Sequence, residues 1–168
     1  KQRRENGVRQ FFGMSQSGDL KEAVRGLNRP ELIMLLSNKE QFDTHVKGLE
    51  QLYPQVPSIG CIGMGYDTKV VQRGVAVIAF SDGVTAAANV LEQASVMPVK
   101  YIDRLKKDVQ DVGAAKNDTV CIDICTGNDA CVLTTLYSVL GERGISLVGG
   151  TGDAGMVSAN GRIYEDAA

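Results

Sequence analysis

In Glu31-Leu32-Ile33-Met34-Leu35-Leu36 the five residues after Glu31 are continuously apolar, as expected of a strand covered on both faces. Asn38 then opens a helical pattern in which Phe42, Val46, Leu49 and Tyr53 recur at a 4-3-4 spacing. Pro54 and Pro57 end that helix and deliver the chain into a second apolar run, Ser58-Ile59-Gly60-Cys61-Ile62-Gly63. Strand, helix and strand in this order predict an α/β unit.

Working outward, Asp19 caps a short helix through Leu20, Ala23, Val24 and Leu27 that stops at Asn28-Arg29-Pro30. Residues 1–18 read as a polar lead-in or linker, and residues 19–168 as the folded domain. Gly74 to Phe80 is another apolar strand, and Asp82-Gly83 after it predicts a hairpin with Val84–Val90 returning antiparallel. Pro98 starts a helix with Val99, Ile102, Leu105, Val109 and Val112 on one face. Thr119–Cys125 is the next strand, followed by a helix capped at Asn128-Asp129 that uses Val132, Leu133, Leu136, Tyr137 and Leu140. Ile145–Val148 is a further strand, and Asn160-Gly161 marks a second hairpin. Alternating helices and strands interrupted by two hairpins predict an α/β fold. Its sheet is mixed, helices flank it, and the whole reads as the first half of a larger two-part domain.

The composition is that of a globular protein, with 168 residues, 43% hydrophobic and 23% charged. A net charge of −2 provides no global field for nucleic acid or anionic lipid. The basic cluster Lys1-Gln2-Arg3-Arg4 reads as solvated linker rather than a nucleic-acid arm. No stretch approaches the roughly 20 apolar residues of a membrane span, and no signal peptide is visible. The chain lacks an initiator Met and is expected to be a segment of a longer protein.

Four cysteines do not make a disulfide scaffold. Cys121 and Cys125 share one strand face about 13 Å apart, too far for one metal ion or one disulfide. Reduced thiols, no metal and no cofactor are expected.

Two glycine-dense stretches carry the functional reading. The first is Gly60-Cys61-Ile62-Gly63-Met64-Gly65, and the second is Gly149-Gly150-Thr151-Gly152-Asp153. Glycines at a strand end permit positive φ and close approach of a ligand or a second strand. Neither stretch has the order and following helix of a dinucleotide-binding turn, and no Walker lysine follows. Cys61 as a nucleophile needs a base or a lowered pKa, and the only histidine, His45, borders the apolar stripe of its own helix. Cys61 therefore reads as a small buried hydrophobe and His45 as a packing residue. In Thr119-Val120-Cys121-Ile122-Asp123-Ile124-Cys125 the even positions are expected in the core and the odd positions on a small polar face. An acid there either faces solvent, pairs, or looks into a polar cavity. The strand leads through Thr126-Gly127 to a helix start, where free N–H groups favour an anion. The expected ligand-binding residues are Cys61, Gly63, Asp123, Cys125, Thr126, Gly149, Gly150, Thr151 and Asp153, with no catalytic residue.

The segment from Leu32 to Tyr53, Pro57-Ser58-Ile59-Gly60-Cys61, and Gly74-Val75-Ala76-Val77 resemble the N-terminal half of FIST sensory domains. So do Leu147-Val148-Gly149-Gly150-Thr151-Gly152-Asp153 and the closing Asn160 to Ala168. The likeness spans residues 19–168. It departs at Ile62-Gly63-Met64-Gly65-Tyr66, where small hydroxyl residues and an acid are more typical, and in a short linker between Asp153 and Val157. The resemblance implies a cytoplasmic input domain of bacterial signal-transduction proteins that binds a small metabolite such as an amino acid. It implies as partners a C-terminal FIST half and an output domain, which can be a chemoreceptor serving chemotaxis, a diguanylate cyclase or a histidine kinase. It implies neither nucleic acid nor direct membrane insertion. A protein-interaction scaffold is the alternative, and a Cys-dependent enzyme a more distant one.

Overall fold

The computed structural model describes residues 7–63, 65–67, 69–71, 74–127 and 129–168. The Lys1–Arg4 cluster, Met64 and the expected cap Asn128 lie outside the described residues. Six strands form the main sheet in the order β1 (Arg9–Ser15), β6 (Val75–Ser81), β2 (Leu32–Ser37), β3 (Ser58–Ile62), β9 (Asp153–Ala159) and β10 (Arg162–Glu165). Only β2 and β3 are parallel, joined by helix α2 (Phe42–Leu52) as the apolar runs predict. The sheet is thus α/β and mixed.

One face of this sheet carries α1 (Leu20–Ala23) and α2. Ile33, Leu35, Phe42, Val46, Leu49, Val75 and Val77 are buried between them, each contributing roughly 1.5–3 kcal/mol of burial. Asp19 caps α1 by accepting from the N–H groups of Lys21 and Glu22. His45 is 2% exposed, its Nδ1 lying 2.7 Å from Ser37 Oγ and its Nε2 2.9 Å from the Gly18 carbonyl. It is a structural clamp between α2, β2 and the turn before α1.

A smaller unit holds the parallel pair β7 (Val120–Cys125) and β8 (Ser146–Thr151), with α3 (Ile102–Asp111) and α4 (Asp129–Leu140). Ala94, Val109, Val132, Leu136, Val139, Leu140 and Ile145 form its core. A third cluster, Cys61, Val90, Val157, Ala159 and Ala167, joins the unit to the main sheet on the face opposite α2, and Ile124 of β7 packs against it.

Three expectations are corrected. Residues 84–90 form no strand: both edges of β6 are already taken, by β2 and by β1, the latter drawn from the segment read as a polar lead-in. Asp82 and Gly83 do turn with positive φ, but the Val84 N–H donates to Glu31 and the Ala88 carbonyl accepts from Asn160. Antiparallel pairing occurs instead between β4 (Gly65–Asp67) and β5 (Lys69–Val71). The even positions of β7 are not all core, since Val120 is 50% exposed whereas Asp123 and Cys125 are buried; α3 and α4 cover the odd face. Val99 and Tyr137, expected on apolar stripes, are exposed, and Val139 and Thr135 take the buried places on α4. The Asn160-Gly161 hairpin forms as expected, both residues having positive φ between β9 and β10.

Candidate functional site

The second glycine-dense stretch is strand rather than loop. β8 continues through Gly149 and Gly150 to Thr151, paired in register with Asp123, Ile124 and Cys125 of β7. Gly149 is required there because a Cβ would stand 1.8 Å from the Asp123 carbonyl oxygen. Gly150 faces open space. Gly152 alone separates β8 from β9. Its N–H donates to the Cys125 carbonyl at 2.9 Å, and a Cβ on it would lie 2.8 Å from Cys61 Cβ.

This crossing brings together most of the residues expected in the site. Cys125 is 1% exposed, with Sγ 3.6 Å from the Gly150 carbonyl and 3.7 Å from Thr151 Oγ1. Asp123 sits beside them on the same face of β7, 9% exposed. On the main sheet, Cys61 pairs with Val157 and its neighbour Ile62 with Asp153. Ala154, Gly155 and Met156 therefore form a bulge relative to β3, with Ala154 and Gly155 at positive φ, while Met156 still pairs with Glu165 of β10. Gly150, Thr151 and Asp153 are exposed, and among the described residues no strand covers the outer edge of β8.

Two expected residues serve the fold. The Thr126 N–H donates to the Ala167 carbonyl and its Oγ1 accepts from the Ala167 N–H, both at 2.9 Å. The Gly63 N–H donates to the Ser37 carbonyl at 3.0 Å. Gly152 and Ala167 were not singled out from sequence. The last glycine of a glycine-dense strand end is a usable signal for the first, whereas nothing local marks the second.

The electrostatics favour neutral thiols. Burial, reinforced by the Asp153 carboxylate, pushes Cys61 up to about 11. Burial and Asp123 do the same to Cys121. Cys61 is therefore protonated at neutral pH, and His45 is bonded to Ser37 and Gly18 within α2 and its contacts. Among the described residues no His/Cys/Asp/Glu cluster fit to hold a metal occurs. A cleft of about 290 Å³ bounded by Glu50, Val56, Pro57 and Asn160 lies at the opposite end of β3.

Two outcomes follow from this geometry. Gly149→Ala should lower unfolding stability by about 1–3 kcal/mol through overpacking against backbone, whereas Gly150→Ala should stay within about 0.5 kcal/mol; urea denaturation of the pair measures the difference. The thiols act at alkaline pH. Above the ordinary thiol value of 9.0 the unfolded chain releases protons that folded Cys61 and Cys121 retain up to about 11. Stability should therefore fall as pH rises from 9 towards 11, and Cys61→Ala with Cys121→Ala should flatten that slope in thermal melts.

No helix of the described residues is long and apolar enough to cross a membrane. No curated protein and no solved structure gives a significant match to the chain. Residues 31–168, which include the α2 unit, both glycine-dense stretches and the closing hairpin, match the model of the FIST N domain. The chain belongs to the FIST N domain family, a family of signal-transduction sensory domains.

Proposed function

We propose that this domain is the ligand-binding input of a cytoplasmic bacterial signalling protein, and that it takes a small metabolite of the amino-acid class. The observation that carries the reading is the crossing at Gly152, where Asp153 and Thr151 lie exposed beside the glycine-lined edge of β8 and Asp123, buried on β7, pairs with Gly149 of that strand. A ligand ammonium meets the carboxylates. The ligand carboxylate meets the Thr151 hydroxyl and outward-facing N–H groups of β8, a division of labour suited to a zwitterion. The protonated state of Cys61 supports binding rather than thiolate chemistry. A sensory family also implies transmission, and the occupied site would pass its signal to a C-terminal half and an output domain such as a chemoreceptor module.

Thermal-shift screening against the amino acids tests this. A ligand at a hundred times its Kd stabilises the fold by about 2.7 kcal/mol, about 5–10 °C for a chain of this size. Asp123→Asn should abolish the shift given by an amine-bearing ligand. No shift with any amino acid contradicts the reading. A shift kept in Asp123→Asn but lost in Glu50→Gln moves binding to the cleft at the other end of β3.

A further inference from the structure

The cleft at the far end of β3 takes no part in the crossing at Gly152, and its chemistry is different. Glu50 of α2 lines it together with Val56 and Pro57 of the loop into β3, Ala87 and Ala88 of the segment over 84–90, and Asn160 of the β9–β10 turn. Both ends of the Asn160 carboxamide are engaged in the fold. Its Oδ1 accepts from the Ser58 N–H at 3.1 Å, and its Nδ2 donates to the Ala88 carbonyl at 2.9 Å. Glu50 is half-buried, and among the described residues its carboxylate has neither a hydrogen bond nor an ion pair. The hairpin glycine seats its stem: a Cβ on Gly161 would stand 2.8 Å from Glu50 Cγ and 3.2 Å from Cδ. The surroundings of this carboxylate are negative as well. Glu50 stands in the last turn of α2, which holds no basic residue, so the negative end of the helix is not offset there. Pro54, four positions on, has no N–H to give to the Glu50 carbonyl. No cationic side chain lines the cleft.

We propose that this cleft is a second binding site, and that it takes a small free organic cation, an aliphatic guanidine or primary amine. The cationic head meets the Glu50 carboxylate at the helix end, where a guanidinium can donate two parallel hydrogen bonds. A short alkyl stem lies against Val56, Pro57 and Ala87. The volume of about 290 Å³ sits at the small end of ligand pockets, which run from about 300 to 1,000 Å³. A free amino acid is a poor occupant, because its carboxylate would face Glu50 and the helix end with no cation to receive it. The inference therefore stands independently of the ligand reading at Gly152.

Amide shifts of the ¹⁵N-labelled 168-residue chain, titrated with n-propylguanidine and separately with its neutral isostere n-propylurea, test it. The amides of Val56, Ala87, Ala88 and Asn160 should move with the guanidine and stay still with the urea. Glu50→Gln keeps the shape and removes the charge, and should raise the guanidine dissociation constant about tenfold or more. Should that variant fail to fold, Ala87→Leu narrows the cleft without touching its charge and should weaken binding as well. Asp153→Asn should leave the titration unchanged. No shift with propylguanidine, equal shifts with propylurea, or undiminished affinity in Glu50→Gln or in Ala87→Leu overturns the proposal. Guanidine shifts at Gly149 to Asp153 in place of the cleft also overturn it.

Discussion

The fold depends on a close approach at Gly152. Its N–H holds the end of β7 through the Cys125 carbonyl, while its Cα lies against Cys61 of β3 with no room for a Cβ. One residue therefore passes the chain from the small sheet to the large one and keeps them in contact. A side chain there would force β9 away from β3 or β8 away from β7. Asp123, Cys125, Thr151 and Asp153 would then no longer share a neighbourhood.

The C-terminal segment reinforces the same joint. Ala167 exchanges two hydrogen bonds with Thr126, and Ala168 exchanges two with Leu91. These two residues thereby fasten the end of β7 to the backbone at Leu91. Burying Ala167 completely leaves its backbone groups only these partners, so their pairing is obligatory. Burial, reinforced by the Asp153 and Asp123 carboxylates, keeps Cys61 and Cys121 protonated, so the joint is neutral in its thiols and hydrogen-bonding in its backbone.

Much of this was legible in the sequence, and the failures have physical causes. The β2–α2–β3 unit and the Asn160-Gly161 hairpin announce themselves because their signals are local: an apolar run, a helical period, a turn that needs positive φ. The strand over Arg9–Ser15 was hidden because its stability comes from pairing with β6, 60 or more positions away. The same long-range choice removed the strand expected at 84–90, since β6 has only two edges. On β7, alternation correctly marked two unlike faces but assigned burial by residue type. Helices α3 and α4 cover the face bearing Cys121, Asp123 and Cys125 instead. For the candidate site, residue chemistry nominates Cys61, Asp123 and Asp153, but only tertiary structure shows that Thr126 and Gly63 spend their hydrogen bonds on the fold.

The central claim is that the crossing at Gly152 is where a small zwitterion binds. Amide chemical shifts of the ¹⁵N-labelled chain, followed while the amino acids are titrated in, test it most directly. The account predicts that the amides of Gly149, Gly150, Thr151 and Gly152 move together with those of Asp123 and Asp153, while Ala87, Ala88 and Asn160 stay still. Shifts confined to the Ala87, Ala88 and Asn160 end of β3, or none with any amino acid, would contradict it.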